Sequence, residues 1–173
     1  MFLRRERAGD ESAIAAVHAA AFSRPDAPNI APPEVKLVAD LRASDAWIPA
    51  LSIVAIVDSE VAGHVVCSRA IIAEMPVLGL GPLGVTPERQ GAYIGTALMH
   101  AVIAAADARD ERLIGLLGSV GYYPRFGFVP ASSVGVVPPH DWYGENFQAR
   151  PLTRATGEER GQFSYAAAFD EVP

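Results

Sequence analysis

The stretch VLGLGPLGVTPERQGAYIGTALMHAV, residues 77–102, runs from a strand-type apolar segment through a turn bearing Gly91 and Gly95 straight into a helical pattern. Gly79, Gly81 and Gly84 weaken the strand, and Pro82 has no backbone donor to give it. A strand broken up in this way leaves main-chain groups unpaired. The first amides of the following helix also lack intrahelical partners and carry the positive end of its dipole. Little side-chain bulk in the turn lets an anion approach the amides of residues 91–96 closely. Arg89 adds a cation at the rim and Thr96 a hydroxyl, so a diphosphate is a natural guest. Turn or packing glycines would leave the same letters, and on the glycines alone both readings stand.

The rest of the chain supplies a sheet and helices around this segment. FLRRER near Phe2 reads as a short strand. Asp10 is placed to cap a helix over ESAIAAVHAAAF, where Ile14, Val17, Ala21 and Phe22 recur at helical spacing. The loop SRPDAPNIAPP has four prolines and cannot continue that helix. EVKLVADLRAS from Glu34 starts another. LSIVAIV, the turn DSE, and VAGHVVCSRAII read as a hairpin rich in Val and Ile. After the helix that follows Gly91 come a buried strand, RLIGLLGS, a short helical turn and strand start in GYYPRFGFVPAS, and two strands in NFQARPLT and GQFSYAAAF. The fold class expected is mixed α/β, with a partly antiparallel, partly parallel sheet flanked by helices.

Bulk properties narrow the partners. With 173 residues, 50% hydrophobic and 20% charged, there is enough apolar material for a core. A net charge of −6 disfavours nucleic acid and anionic membranes as partners. Cys67 is the one cysteine, which rules out an intrachain disulfide framework and fits a reducing cytoplasm. It reads as a small core hydrophobe. No apolar run reaches the length of a membrane span. The four histidines and single cysteine show no metal-ligand spacing, so no metal is expected.

Two phosphate-binding motifs fail on inspection. A P-loop needs Lys and then Ser or Thr after its last glycine, whereas Gly95 is followed by Thr96 and Ala97. A dinucleotide-binding turn needs G-x-G-x-x-G after the first strand of a βαβ unit, and here a three-strand meander precedes the turn. The residues Gln90, Gly91, Ala92, Tyr93, Ile94 and Gly95 instead resemble the acyl-CoA-binding loop of the GNAT N-acetyltransferase superfamily, Q/R-x-x-G-x-G/A, with Tyr93 where the first glycine stands. The flanks LGPLGVTPERQG and IGTALM look like the family's strand, loop and helix. GYYPRFGF resembles its C-terminal Y-x-x-x-G-F signature through Tyr123, Gly127 and Phe128, and GQFSYAAAF is similar to the tail of a bacterial subgroup of predicted acetyltransferases.

The resemblance implies one domain over residues 1–173, with residues 138–173 completing the sheet and the fourth and fifth strands splayed. It implies acetyl-CoA as co-substrate, pantetheine against the backbone of Leu83, Gly84 and Val85, and pyrophosphate on the loop from Gln90 through Gly91, Ala92, Tyr93, Ile94 and Gly95 to Thr96. Ser119, just past the fifth strand, joins the cofactor-binding positions. Tyr123 stands at the family's general-acid position, and Tyr93 is expected to cover the cofactor. For the base that takes the amine proton, Glu74 ahead of the fourth strand is the first choice and His64 the second. His140, Asp141 and Trp142 in PPHDWYGENF form a polar-aromatic loop that is a candidate to line the acceptor site. Bland alternatives stand beside these: Tyr122 and Tyr123 as packing aromatics, Glu74 as a strand-end charge, and the His140–Trp142 loop as surface decoration. The activity expected is transfer of acetyl to a primary amine of a small molecule or peptide. The alternative is a protein of the same fold that binds acyl-CoA without turnover. A homodimer is compatible with either reading.

Overall fold

The computed structural model describes residues 1–26 and 30–171. Residues 27–29, inside the proline-rich stretch expected to be a loop, lie outside the described residues. The elements are β1 (Phe2–Arg5), α1 (Glu11–Ala21), α2 (Pro33–Arg42), β2 (Ser52–Val57), β3 (Glu60–Ile72), β4 (Met75–Val85), α3 (Ile94–Asp107), β5 (Leu113–Leu117), β6 (Val129–Pro130), β7 (Val136–Val137), β8 (Phe147–Pro151) and β9 (Gly161–Ser164).

The sheet follows the order β1-β2-β3-β4-β5-β8-β6, with β9 paired to both β3 and β7. All of its neighbours along that main path are antiparallel except β4 and β5. Strand alternation divides the apolar side chains between two faces. Ile53, Ala55, Val65 and Cys67 point to the face covered by α3, where Leu98, Met99 and Val102 meet them. Val54 and Ile56 point the other way, to Ile14 of α1 and Val38 of α2, and Val66 meets Leu37 and Leu41 of α2. Cys67 is fully buried, and burial pushes its thiol pKa up, as a core hydrophobe requires.

The short helical turn expected in GYYPRFGFVPAS is a 3₁₀ turn at Tyr123–Phe126, followed by β6. Two local expectations change. Asp10 sits at the start of α1 but does not cap it with its side chain. Its carboxylate instead accepts from the Arg4 guanidinium at 2.6 and 2.9 Å and from the Arg7 amide at 2.8 Å. The end of GQFSYAAAF leaves the sheet at Ser164 and turns into a 3₁₀ segment, Ala167–Glu171. The edge of β3 explains the last change. Arg69, the next β3 donor facing that side, already gives its amide to Ala46 at 2.9 Å, so β9 has nothing further to pair with.

Candidate active site

β4 and β5 pair at only two register positions, Leu78 with Ile114 and Gly79 with Gly115. Past that point β5 stays with β8 as far as Leu117 opposite Phe147, while β4 turns away. The cause lies on β4. Between the pairs Cys67–Leu80 and Val65–Leu83, β4 has Gly81 and Pro82 where β3 has Val66 alone. An extra residue bends the bulged strand, and a proline gives no ladder bond. The parallel strands therefore part where the glycine- and proline-rich letters indicated.

A cavity of about 370 Å³ lies where the parted strand meets the start of α3. Its lining includes Leu83, Val85, Gln90, Gly91, Tyr93 and Gly95, all among the expected cofactor-binding positions, as are Ile94 and Thr96, which also border it. The first intrahelical bond outside the turn is from the Ala97 amide to the Tyr93 carbonyl at 3.0 Å, and no side chain caps the helix. The amides of Ile94, Gly95 and Thr96 precede it and stay available to an anion. Two cations border the same space. Arg89 is held by Asp58 at 2.7 Å, and Arg125 lies over the Tyr122 ring, 4.9 Å from its centre, while donating to the Gly121 carbonyl. The Gln90 side chain donates back to the Val85 carbonyl at 3.1 Å and ties the loop to β4. Tyr93, which stands where the resembled loop has its first glycine, takes the left-handed conformation (φ 61°) and is 79% exposed at the cavity rim. Gly95 packs under Tyr122, whose hydroxyl would lie 3.0 Å from a Cβ placed there.

A second cavity, about 250 Å³, shares Leu83 as a wall with the first. Tyr123 faces it from the turn after β5. Its ring lies flat against Gly118, where a side chain would collide with it. Burial and the neighbouring Tyr122 raise its pKa to about 12, so the hydroxyl stays protonated. Tyr143 and Tyr165 line the same chamber, and burial raises both of their pKa values as well. Glu34, in the first turn of α2, is the carboxylate on its wall, and no ion-pair partner contacts it among the described residues.

Other expected site residues stand elsewhere. Glu74 is exposed in the turn between β3 and β4, at the opposite end of β4 from the parting, and lines neither cavity. The eight residue-to-residue steps from Glu74 to Pro82 span roughly 26 Å of strand at ~3.3 Å per step, out of reach of a reaction at the parting. His64 is fully buried beneath α1 and faces no cavity wall. Its Nδ1 lies 2.8 Å from His18 Nε2 and its Nε2 2.9 Å from Ser52 Oγ. Ser52 in turn donates to Glu6. A serine has one proton to give, so His64 Nε2–H donates to Ser52 and His18 Nε2–H donates to His64. His18 Nδ1 is left as a buried lone pair without a partner, packed over Gly84. Gly84 and Ala92 line neither cavity directly, though each lies between residues that do. Ser119 is exposed and organises the turn that carries Tyr123, accepting from the amides of Tyr122 and Tyr123 at 3.0 and 3.3 Å.

Sequence reasoning missed Arg125, Glu34, Phe22, Tyr143, Tyr165 and Phe169. Arg125 lay inside a quoted motif. Tyr165 and Phe169 likewise lay inside GQFSYAAAF, and Tyr143 inside PPHDWYGENF, the loop read as a candidate for the acceptor site; only the fold brings these segments together with Phe22 and Glu34.

A parted parallel strand pair opening onto an uncapped helix start, with cations on the rim, defines an acyl-CoA-binding α/β domain. The comparisons agree. The chain matches the acetyltransferase (GNAT) family over residues 22–128, and it belongs to that family of acyltransferases. It is 32% identical over 133 residues to the uncharacterized N-acetyltransferase YjhQ of Escherichia coli K12, covering 69% of this chain and 74% of that protein. It superposes on a GNAT family acetyltransferase from Brucella melitensis, solved in complex with acetyl-CoA, at a TM-score of 0.79 and 35% identity, over 98% and 97% of the two chains. The fold is shared with the GNAT family N-acetyltransferase YhbS of Escherichia coli, solved in complex with CoA (TM-score 0.87, 24% identity, 99% and 93% coverage).

Proposed function

We propose that this chain transfers the acetyl group of acetyl-CoA to the primary amine of a small molecule, by direct attack with both substrates bound. The observation carrying this reading is the departure of β4 from β5 after two register pairs, which leaves Leu83 on the wall of both cavities. The amides of residues 94–96, with Arg89 and Arg125, suit a pyrophosphate. Bound acetyl-CoA supplies an acetyl group activated as a thioester. Main-chain groups of the bent β4 at Leu83 and Val85 hold the pantetheine arm and aim it at the chamber.

In the chamber, Tyr123 donates to the sulfur as charge develops there. With its pKa near 12, against about 8.5 for a thiol, Tyr123 stabilises that charge through a hydrogen bond more than by giving its proton away. Glu34 takes the role expected of Glu74. It accepts the proton of the incoming ammonium and leaves a neutral amine facing Leu83. Tyr93 covers the donor cavity from its rim.

The test combines thermal unfolding with acetyl-CoA and free-thiol release across a panel of primary amines. A ligand at a hundred times its dissociation constant stabilises the fold by about 2.7 kcal/mol. Stabilisation with thiol release is the expected result. Stabilisation without release by any amine would leave a binding protein, and no stabilisation would end the acyl-CoA reading itself.

A further inference from the structure

The second cavity has a chemistry of its own. Its walls include five aromatic rings, those of Phe22, Tyr123, Tyr143, Tyr165 and Phe169, and one carboxylate, Glu34. Among the described residues, no lysine or arginine lines it. The rings are firmly seated. Phe169 stacks on Tyr165 with centres 4.3 Å apart, Tyr165 lies so close to Gly79 that a Cβ there would be 2.6 Å away, and Tyr123 is pressed onto Gly118. The three tyrosine hydroxyls are held neutral by burial. A volume of about 250 Å³ is below the ~300–1,000 Å³ typical of sites for drug-sized ligands.

Each feature constrains an acceptor. Flat apolar walls favour a flat apolar body, and rings arranged around a small space also favour one cation among them. Glu34 is half-buried with no ion-pair partner among the described residues, so its carboxylate favours a cationic group on the ligand. A ligand carboxylate would meet Glu34 and neutral walls with no cation to offset its loss of water. A second ammonium at the far end of a chain would find no second carboxylate in the lining. We infer that the acceptor is a compact monoamine with an aromatic or similarly flat apolar body and no acidic group. Amino acids, linear diamines and peptides are disfavoured. This inference rests on the acetyltransferase reading for the reaction, but the chamber's preference for ligand is independent of turnover.

The experiment uses 2-phenylethylamine, phenylalanine, putrescine and a tripeptide, in two arms. One arm is thiol release from acetyl-CoA. The other is calorimetric binding to the protein saturated with CoA, where nothing can be transferred. The expected result is that 2-phenylethylamine is preferred over phenylalanine on the order of 100-fold and over putrescine by roughly 10- to 100-fold, the worth of burying a ring-sized apolar group. Its binding should show a negative heat-capacity change and weaken at least about tenfold in Glu34→Gln. Equal or better use of phenylalanine, putrescine or the peptide overturns the inference and leaves the acetyltransferase reading intact. Selective binding of 2-phenylethylamine without thiol release sinks the reaction and keeps the ligand class. Absence of both binding and release overturns both.

Discussion

Lowering the pH from 7.5 to 5 should destabilise this fold through the His18–His64 pair. Both rings are buried in the wild-type protein. Burial lowers the His18 pKa to about 4 and drives that of His64 well below its ordinary value, with His18 and Arg42 as further causes and Asp10 opposing. Glu6, within 3.7 Å of His64, is tied to Arg42 at 2.7 Å and accepts from Ser52. The pair therefore folds neutral, while the unfolded chain binds protons at these sites below its ordinary pKa of about 6.5. Stability is then independent of these groups above pH 6.5 and falls as the pH drops from 6.5 towards the folded values. At pH 5 His18 has cost about 1.5 units, or about 2 kcal/mol, and His64 adds to the loss in the same direction. With a urea dependence of about 2 kcal/mol per molar, the urea midpoint should move down by at least about 1 M between pH 7.5 and 5, followed by fluorescence. In His18→Phe the pH slope should become shallower, whatever the variant's absolute stability. Asp10 acts in a separate window. Arg4 holds its carboxylate at about 2, so its stabilising contribution is present above about pH 4 and is lost only below that. A midpoint that stays level from pH 7.5 to 5, or an undiminished slope in His18→Phe, would refute the reasoning.

Further outcomes follow from the same geometry. Tyr123→Phe should lower the turnover number by roughly 10²–10⁴-fold with thermal stability unchanged, measured at saturating acetyl-CoA and amine. Gly84→Ala places a Cβ 2.7 Å from His18 Nδ1 and should cost about 1–3 kcal/mol in urea unfolding, with part of the loss recovered by adding His18→Ala. Arg125→Ala should weaken CoA binding by about tenfold in calorimetry, with a shallower salt dependence than the wild type. Tyr93→Gly removes a left-handed tyrosine worth about 1 kcal/mol of strain but adds unfolded-state freedom. The melting temperature should barely move, while CoA binds several-fold more weakly for want of cover.

The donor half of the site was legible because its signal is local. Gly81, Pro82 and Gly91 fall within one short stretch of chain, and each reports a main-chain property that survives in one dimension. Other glycines in the same reading meant something different. Gly79 and Gly84 do not free the backbone for a ligand; they make room for the rings of Tyr165 and His18. The acceptor half was not legible. Glu34 sits at the start of α2, Tyr143 in a turn before β8 and Phe169 after β9, and no spacing rule links positions that only tertiary folding makes neighbours. Glu74 illustrates the cost of substituting sequence proximity for distance. It adjoins β4 in the chain but lies at the strand's far end from the parting.

Among the described residues, Leu83 is the one common to the two linings, apart from the aromatic turn after β5 that abuts both. On the proposed reading, donor and acceptor recognition are therefore written in different parts of the chain. Substitutions around Phe169 or Tyr143 would then retune which amine is accepted without touching the residues that grip the donor.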